Sequence, residues 1–252
     1  MTRRIAIVGL ASANLDPLLL AQRRGEDIEV WTANEAERVI PAGLTVNRVF
    51  QMHVRDWREA ERAYLNGGTL PQRLDPDCFG RNNEHVEYLR TCGVPVYGQR
   101  EWTDIPTSVV YPFERVRQAV GVSLPPIGDL RLWATSTFGY MIALLLTEGI
   151  TFPRTQAVSE LMLYGIELPL GTQRERLWEW PNLAYYLGMA RGMGITVTLP
   201  QEGTSLLSGP HYALNGRPYP RDVDHWFATG PAAVIAEGDV IRLGTWREPE
   251  EE

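Results

Sequence analysis

Between residues 131 and 149, Phe138, Met141, Ile142, Leu145 and Leu146 recur every three or four positions. That spacing predicts a helix with one face turned to a core. Thr135, Ser136 and Thr137 stand just ahead of it, and each can cap its start. Gly149 sits where a left-handed stop belongs. Residues 132–134 read as the end of a short strand leading into this helix. Residues 160–164 form an apolar run read as a buried strand, and Gly165-Ile166-Glu167 places a carboxylate just past its end.

The preceding chain alternates the same two patterns. Residues 4–9 are a near-continuous apolar run ending in glycine, as a central parallel strand requires. A small-residue turn over 9–14 leads to a helix at 15–24, then a strand at 28–32 that runs into Ala33-Asn34-Glu35. A third strand spans 46–52, with His53 at its end, and a charged helix follows at 55–65. Residues 66–84 are rich in Gly, Pro, Asp and Asn, which predicts a mobile loop, and 66–128 reads as a loop-rich insertion or lid. Inside it lie a short helix at 85–90, a short strand at 94–97, an extended segment at 106–112 and a helix at 113–120. Residues 121–129, with Pro125-Pro126, read as a linker.

After Glu167 a helical pattern covers 174–192, with Tyr185, Tyr186, Met189 and Ala190 as its inner face. Pro181 inside it predicts a kink or two helices. A last strand is expected at 195–199. The alternation predicts an α/β fold, a Rossmann-like and mostly parallel sheet flanked by helices over residues 1–200. From 201 the texture changes to Gly, Pro and aromatics. Residues 201–252 read as a small β appendage, with strands at 233–235 and 240–243 turning at Glu237-Gly238-Asp239.

Composition narrows the chemistry. Of 252 residues, 44% are hydrophobic and 22% charged, ordinary for a globular chain with a sizeable core. No apolar run is long enough to span a bilayer. The opening Met-Thr-Arg-Arg enters a strand-like segment directly, without the apolar stretch and cleavage site of a secretory signal. Cys78 and Cys92 fit neither a disulfide framework nor a metal-ligand spacing, so a reducing cytoplasm is the expected setting. All 24 basic side chains are arginine, which removes Schiff-base and P-loop lysine chemistry. The net charge of -7 argues against a broad electrostatic grip on nucleic acid, leaving nucleic acid conceivable only as an acceptor.

If the sheet is parallel, four positions converge at the carboxyl ends of its strands: the 9–14 turn, Asn34, His53, and 135–140 together with 165–167. Ligands of open α/β sheets bind there. Helix-start amides suit phosphate, while Asn14, Asn34 and Ser136 offer hydrogen bonds to a ribose or base. The expected nucleotide-binding set is Gly9, Ser12, Asn14, Asn34, Thr135, Ser136, Thr137, Gly139 and Tyr140, with no metal and no resident cofactor. The turn keeps only the first glycine of the dinucleotide fingerprint, which argues against nicotinamide or flavin. His53 is either a general base or the cap of the helix that follows it. Glu167 either acts on an acceptor hydroxyl or pairs with Arg174 or Arg176.

These residues resemble a family. Gly9-Leu10-Ala11-Ser12-Ala13-Asn14-Leu15 is similar to the Gly-x-Gly-Pro-Ser-Leu loop that opens the bacterial lipooligosaccharide sialyltransferases. Related domains occur in flagellin-modifying transferases, in archaeal hydroxymethylpterin pyrophosphokinases and in many bacteriophage proteins. Those families place an asparagine after the second strand, as Asn34 stands here. They also carry a Thr/Ser-rich helix start and then Gly-x-Asp, matched by Thr135-Ser136-Thr137-Phe138-Gly139-Tyr140 and Gly165-Ile166-Glu167. The likeness covers about residues 4–53 and 131–199. The loop lacks the second glycine and the proline, a glutamate replaces the aspartate, and an insertion at 151–159 separates helix from strand. His211 and His225 come too late to match the histidine base of the sialyltransferases.

The resemblance implies a metal-independent glycosyltransferase that takes a nucleotide sugar to an unknown hydroxyl, a modified DNA base included if the chain is phage-encoded. Two alternatives stay open. One is a pyrophosphokinase-like nucleotidyl enzyme needing Mg²⁺, for which Glu167, Glu35 and Asp56 would supply the acidic cluster. The other is a non-catalytic nucleotide-binding protein.

Overall fold

Ile5, Ala6, Ile7 and Val8 are all sealed from solvent, so the strand that carries them, β1 (Arg3–Val8), has no face left for water. Such a run is stable only in the middle of a sheet covered on both sides. The computed structural model describes residues 3–11, 13–55, 78–124, 129–151, 157–166, 179–199, 233–237 and 240–244. In it β1 pairs in parallel with β2 (Ile28–Ala33) on one side and β8 (Val158–Tyr164) on the other. Beyond β2 lie β3 (Arg48–Gln51), β4 (Val96–Gly98) and β5 (Ser108–Val110); beyond β8 lies β9 (Thr196–Thr198). The order is β5-β4-β3-β2-β1-β8-β9, seven strands, all parallel. The chain steps outward from β1 to β5 and then returns to the far side of β1. The topological switch point therefore falls between β1 and β8.

Alternation along the strands sends two sets of side chains to two faces. Ala6, Val8, Val30, Met162 and Tyr164 pack against Leu15 and against Leu18 and Leu19 of α1 (Asp16–Arg23). On the same face Val49 and Val96 meet Val86 and Leu89 of α2 (Asn83–Thr91). The opposite face, with Ile5, Ile7, Trp31, Phe50, Leu161 and Leu163, is covered by α4 (Thr137–Thr151). That helix lies between α3 (Phe113–Val120) and α5 (Trp180–Gly192).

Every residue of α4 from Met141 to Glu148 is buried. A helix enclosed on all sides needs no polar face, but Glu148 must then bring its charge inside with it. Arg48 Nη1 donates to Glu148 Oε1 at 2.6 Å and Arg3 Nη1 to Oε2 at 2.9 Å. Arg3 also binds Glu29 at 2.6 Å, and Trp31 Nε1 donates to Glu29 at 3.1 Å. The Arg48 guanidinium lies over the Trp31 ring, 4.5 Å from its centroid, a cation–π contact. Two arginines thus neutralise two glutamates at the amino end of the sheet. Burial pushes the Glu29 carboxyl up, yet the hydrogen bonds from Arg3 and Trp31 and the arginine charges outweigh it and hold the group below its ordinary value.

Several sequence expectations shift. Inside the stretch expected as a loop-rich insertion, the elements expected at 85–90, 94–97, 106–112 and 113–120 stand as α2, β4, β5 and α3; what differs is that β4 and β5 extend the main sheet. Residues 66–77 lie outside the described part, as do 56–65 of the expected charged helix. The strand expected at 132–134 stands earlier, as β7 (Asp129–Arg131). It pairs antiparallel with β6 (Val122–Leu124), inside the expected linker, in a separate two-stranded sheet. Gly149 does not stop α4, which runs on to Thr151. Pro181 lies in the first turn of α5, where its missing N–H removes no helical bond. The inner face of α5 is Asn182, Leu183, Tyr186, Leu187 and Ala190, with Tyr185 at the surface.

The chain divides into two compact units, Met1–Leu206 and Leu207–Glu252. In the second, β10 (Ala233–Glu237) and β11 (Val240–Gly244) form an antiparallel hairpin with Glu237 opposite Val240. No helix among the described residues is long and apolar enough to cross a membrane.

Two outcomes are expected. Glu148→Ala leaves Arg3 and Arg48 without their shared carboxylate and should cost about 3 kcal/mol in a urea titration; a loss within error of zero would mean the cluster does not hold α4. Because the Glu29 carboxyl is lowered in the fold, its stabilisation is present above the unfolded value of 4.5 and is lost as pH falls through the folded one. Glu29→Gln should therefore flatten the acid limb of a stability–pH profile below that value. An unchanged acid limb would contradict the assignment.

Candidate functional site

β1 and β8 stay joined beyond their ends. Gly9 N donates to Tyr164 O at 2.9 Å, and Ala11 N to Gly165 O at 3.0 Å. Gly165 turns the chain with φ +63°, and a Cβ there would stand 2.5 Å from Ala11 O. Only glycine meets both demands, since a side chain is strained at that φ and has no room. On Gly9 a Cβ would strike the Gly165 carbonyl and approach Phe138 Cζ to 2.9 Å. The two glycines interlock, and the ring of the second residue of α4 closes over them. Gly9 thus serves close packing of β1, β8 and α4.

Asn34 follows β2 with φ +51°, the one non-glycine residue with a positive φ among those described. Asparagine tolerates this region better than most residues. Its N–H donates to Phe50 O at 2.8 Å, fixing it to the end of β3. Its Oδ1 accepts from Thr137 Oγ1 at 3.1 Å, across 103 residues of sequence. With Oδ1 engaged, the side-chain Nδ2 is left as a pair of donors at the carboxyl end of β2.

The start of α4 is built by two polar groups. Ser136 is the cap: its Oγ accepts from Gly139 N at 3.1 Å and its carbonyl from Tyr140 N at 3.3 Å. The amides of Thr137 and Phe138 come too early in the helix to have an intrahelical acceptor and carry the positive end of its dipole. Asn182 of α5, wholly buried, holds the approach: its Oδ1 accepts from Thr135 N at 3.2 Å and its Nδ2 donates to Trp133 O at 2.5 Å. Gly139 faces this asparagine, whose Oδ1 occupies the place of a Cβ. A large residue at 139 would therefore disrupt α4–α5 packing, whatever binds nearby. Tyr140 is partly buried, its carbonyl accepting from Tyr111 Oη at 2.8 Å.

Sequence reasoning singled out other residues with different outcomes. Asn14 is exposed, and its Oδ1 accepts from Asp16 N at 3.0 Å, shaping the entry to α1. His53 stands two residues past β3, itself two strands from β1, so about 10 Å separates it from the Gly9 turn. Ser12, Asp56 and Glu167 lie outside the described residues. Glu35 pairs with Arg38 at 2.9 Å. Among the described residues no group of three or more His, Cys, Asp or Glu is placed to hold a metal ion.

Two buried polar residues were missed. Asn182 interrupts the apolar side of α5, and that interruption is its one local signal. His85, also wholly buried, sets Nδ1 2.8 Å from Glu37 Oε1 and Nε2 3.1 Å from Gln51 Oε1. With both ring nitrogens engaged and no exposure, it ties α2 to the ends of β2 and β3.

The structure thus gathers Gly9, Asn34, Thr137 and Gly165 at the switch point, with Thr135, Ser136 and Gly139 fixed behind them, and sets His53 apart. No protein-family model, curated protein or solved structure matches the chain.

Gly165→Ala places a Cβ against a backbone carbonyl at positive φ and should lower stability on the order of 1–3 kcal/mol by chemical denaturation. Unchanged stability would show that the two turns can move apart freely.

Proposed function

We propose that the crevice between the 9–14 turn, Asn34 and the first turn of α4 binds a nucleotide, and that the chain is a metal-independent transferase acting on a nucleotide sugar. The observation that carries this reading is the Thr137–Asn34 hydrogen bond. It aims the donor end of Asn34 beside the two unpaired amides of α4, at the switch point of a parallel sheet. Phosphate oxygens are acceptors only, and this corner offers donors: the amides of Thr137 and Phe138 for phosphate, Asn34 Nδ2 for a ribose oxygen or base carbonyl. Thr137 acts here through its backbone and through Asn34, to which its hydroxyl donates, while Ser136 Oγ accepts from Gly139 N and keeps its own O–H as a donor.

For transfer, an acceptor hydroxyl attacks the anomeric carbon of the donor sugar and gives its proton to a protein base. The bond from that carbon to the nucleotide phosphate breaks, and the phosphate oxygen leaves with the electron pair. The helix-start amides would stabilise the charge that develops on that oxygen, the part a metal ion plays elsewhere. Glu167 is the base favoured by position in the chain, since it directly follows Ile166 and Gly165 at the end of β8. His53, two strands away, is suited only to an acceptor that reaches over β3.

Calorimetric titration with CMP, UDP and GDP, with and without Mg²⁺, tests the reading. One of the three is expected to bind without metal. Thr137→Ala frees Asn34 and should weaken that binding by about 0.5–1.5 kcal/mol. Asn34→Asp puts a carboxylate where donors are needed and should weaken it further. Unaltered affinity in both variants would place the site elsewhere; nucleotide binding without turnover on any acceptor would leave a non-catalytic binding protein.

A further inference from the structure

Trp133 and Tyr185 are among the few large apolar side chains of the described residues that stand in solvent, at 41% and 36% exposure. They stand there together, with ring centroids 5.4 Å apart and planes at 54°. The pair is not loose. Asn182 holds the Trp133 carbonyl on one side and the Thr135 amide on the other, and Tyr185 rests edge-on against Tyr186 at 5.2 Å. Tyr186 is wholly buried, and its hydroxyl has no hydrogen-bond partner among the described residues. An orphaned buried hydroxyl is costly and asks for a partner. Burial, and then the neighbouring hydroxyls of Tyr185 and Tyr140, push its pKa far up, so it stays a neutral donor.

We propose that Trp133, Tyr185 and Tyr186 form a binding site for an uncharged pyranose ring. The aromatic pair takes the apolar C–H face of the sugar, the Tyr185 hydroxyl meets its hydroxyl rim, and a sugar hydroxyl that reaches past the pair supplies the partner the enclosed Tyr186 hydroxyl lacks. Phenols both donate and accept, as sugar hydroxyls do. None of the three side chains is charged, so they suit an uncharged ring rather than a phosphate or carboxylate. Two rings inclined at 54° also offer no parallel faces between which a planar base could be sandwiched. The position agrees: Trp133 leads into the first turn of α4, and α5 connects β8 to β9. The site therefore lies on the opposite side of the switch point from Asn34, which follows β2. The sugar site stands on its own side chains. Whether the sugar is the transferred one or the acceptor rests on the nucleotide reading above.

The test uses the full chain and two probes. Methyl glycosides of glucose, galactose, mannose and N-acetylglucosamine at millimolar concentration are followed by saturation-transfer NMR. CMP, UDP and GDP are followed by calorimetry on the same proteins. At least one glycoside should receive saturation through its ring C–H protons. Trp133→Ala should weaken it about tenfold, the size of one lost aromatic contact, and Trp133→Phe should restore most of that. Tyr186→Phe separates binding from folding: it removes the orphaned hydroxyl, so the free protein should melt at the same or a higher temperature while sugar binding falls. Nucleotide affinity should stay within about twofold in the three variants. Stronger binding of a nucleotide sugar than of its nucleotide, with the increment lost in Trp133→Ala, assigns the donor sugar; a glycoside that binds beside a saturating nucleotide sugar assigns the acceptor. Sugar binding without any nucleotide binding keeps this site and removes the nucleotide one. No glycoside contact, contact unchanged in Trp133→Ala and Tyr186→Phe, or nucleotide affinity lost along with Trp133 would overturn the proposal.

Discussion

Burying α4 on all sides is the constraint from which the rest of the sheet domain follows. Fifteen residues make a helix about 22 Å long, close to the roughly 20 Å of the six-residue β1 beneath it. The helix ends therefore coincide with the sheet ends. At the amino end Glu148 is drawn inside and tolerated only because Arg3 and Arg48 converge on it from β1 and β3. At the carboxyl end Thr137 meets Asn34. The ion cluster and the polar contact hold one rigid element at two points. The helix start, with its unpaired amides, is set at the switch point between β1 and β8 as a result.

The two glycines complete that arrangement from the other side. Gly9 and Gly165 let the β1 and β8 turns touch backbone to backbone and let Phe138 close on them. The donor groups that remain belong to the α4 backbone and to Asn34, while α5 and its buried Asn182 hold the approach through Thr135 and Trp133. The proposed nucleotide and sugar sites are two sides of one helix start, made by different neighbours: β2 on one side and α5 on the other.

Elements with strong local signals were legible in the sequence. β1 and β8 announce themselves as apolar runs, and α4 by its spacing and the hydroxyls before its first apolar residue; Ser136 proves to be the one that caps. The strands β4, β5, β6 and β7 have three residues each, too short for a period to register: β4 and β5 show only as a short strand and an extended segment, with no sign that they belong to the main sheet, and β6 falls where a linker is expected. The site was half legible. Asn34 and Thr137 could be picked out separately, but their bond spans 103 residues, and nothing local encodes it. Asn182 and His85 were missed for the same reason, since each earns its place through partners far away in sequence. The need for glycine at 139 likewise comes from a distant partner, Asn182 of α5, whose Oδ1 occupies the place of a Cβ.

The central claim is that the first turn of α4, together with Asn34, is a nucleotide site. Backbone and side-chain amide shifts followed through a titration with CMP, UDP or GDP test it residue by residue. The account predicts that the largest changes fall on the amides of Thr137 and Phe138 and on the side-chain NH₂ of Asn34, with α2 and its His85 cluster still. Changes confined to other parts of the sheet domain, or none with any of the three nucleotides, would contradict it.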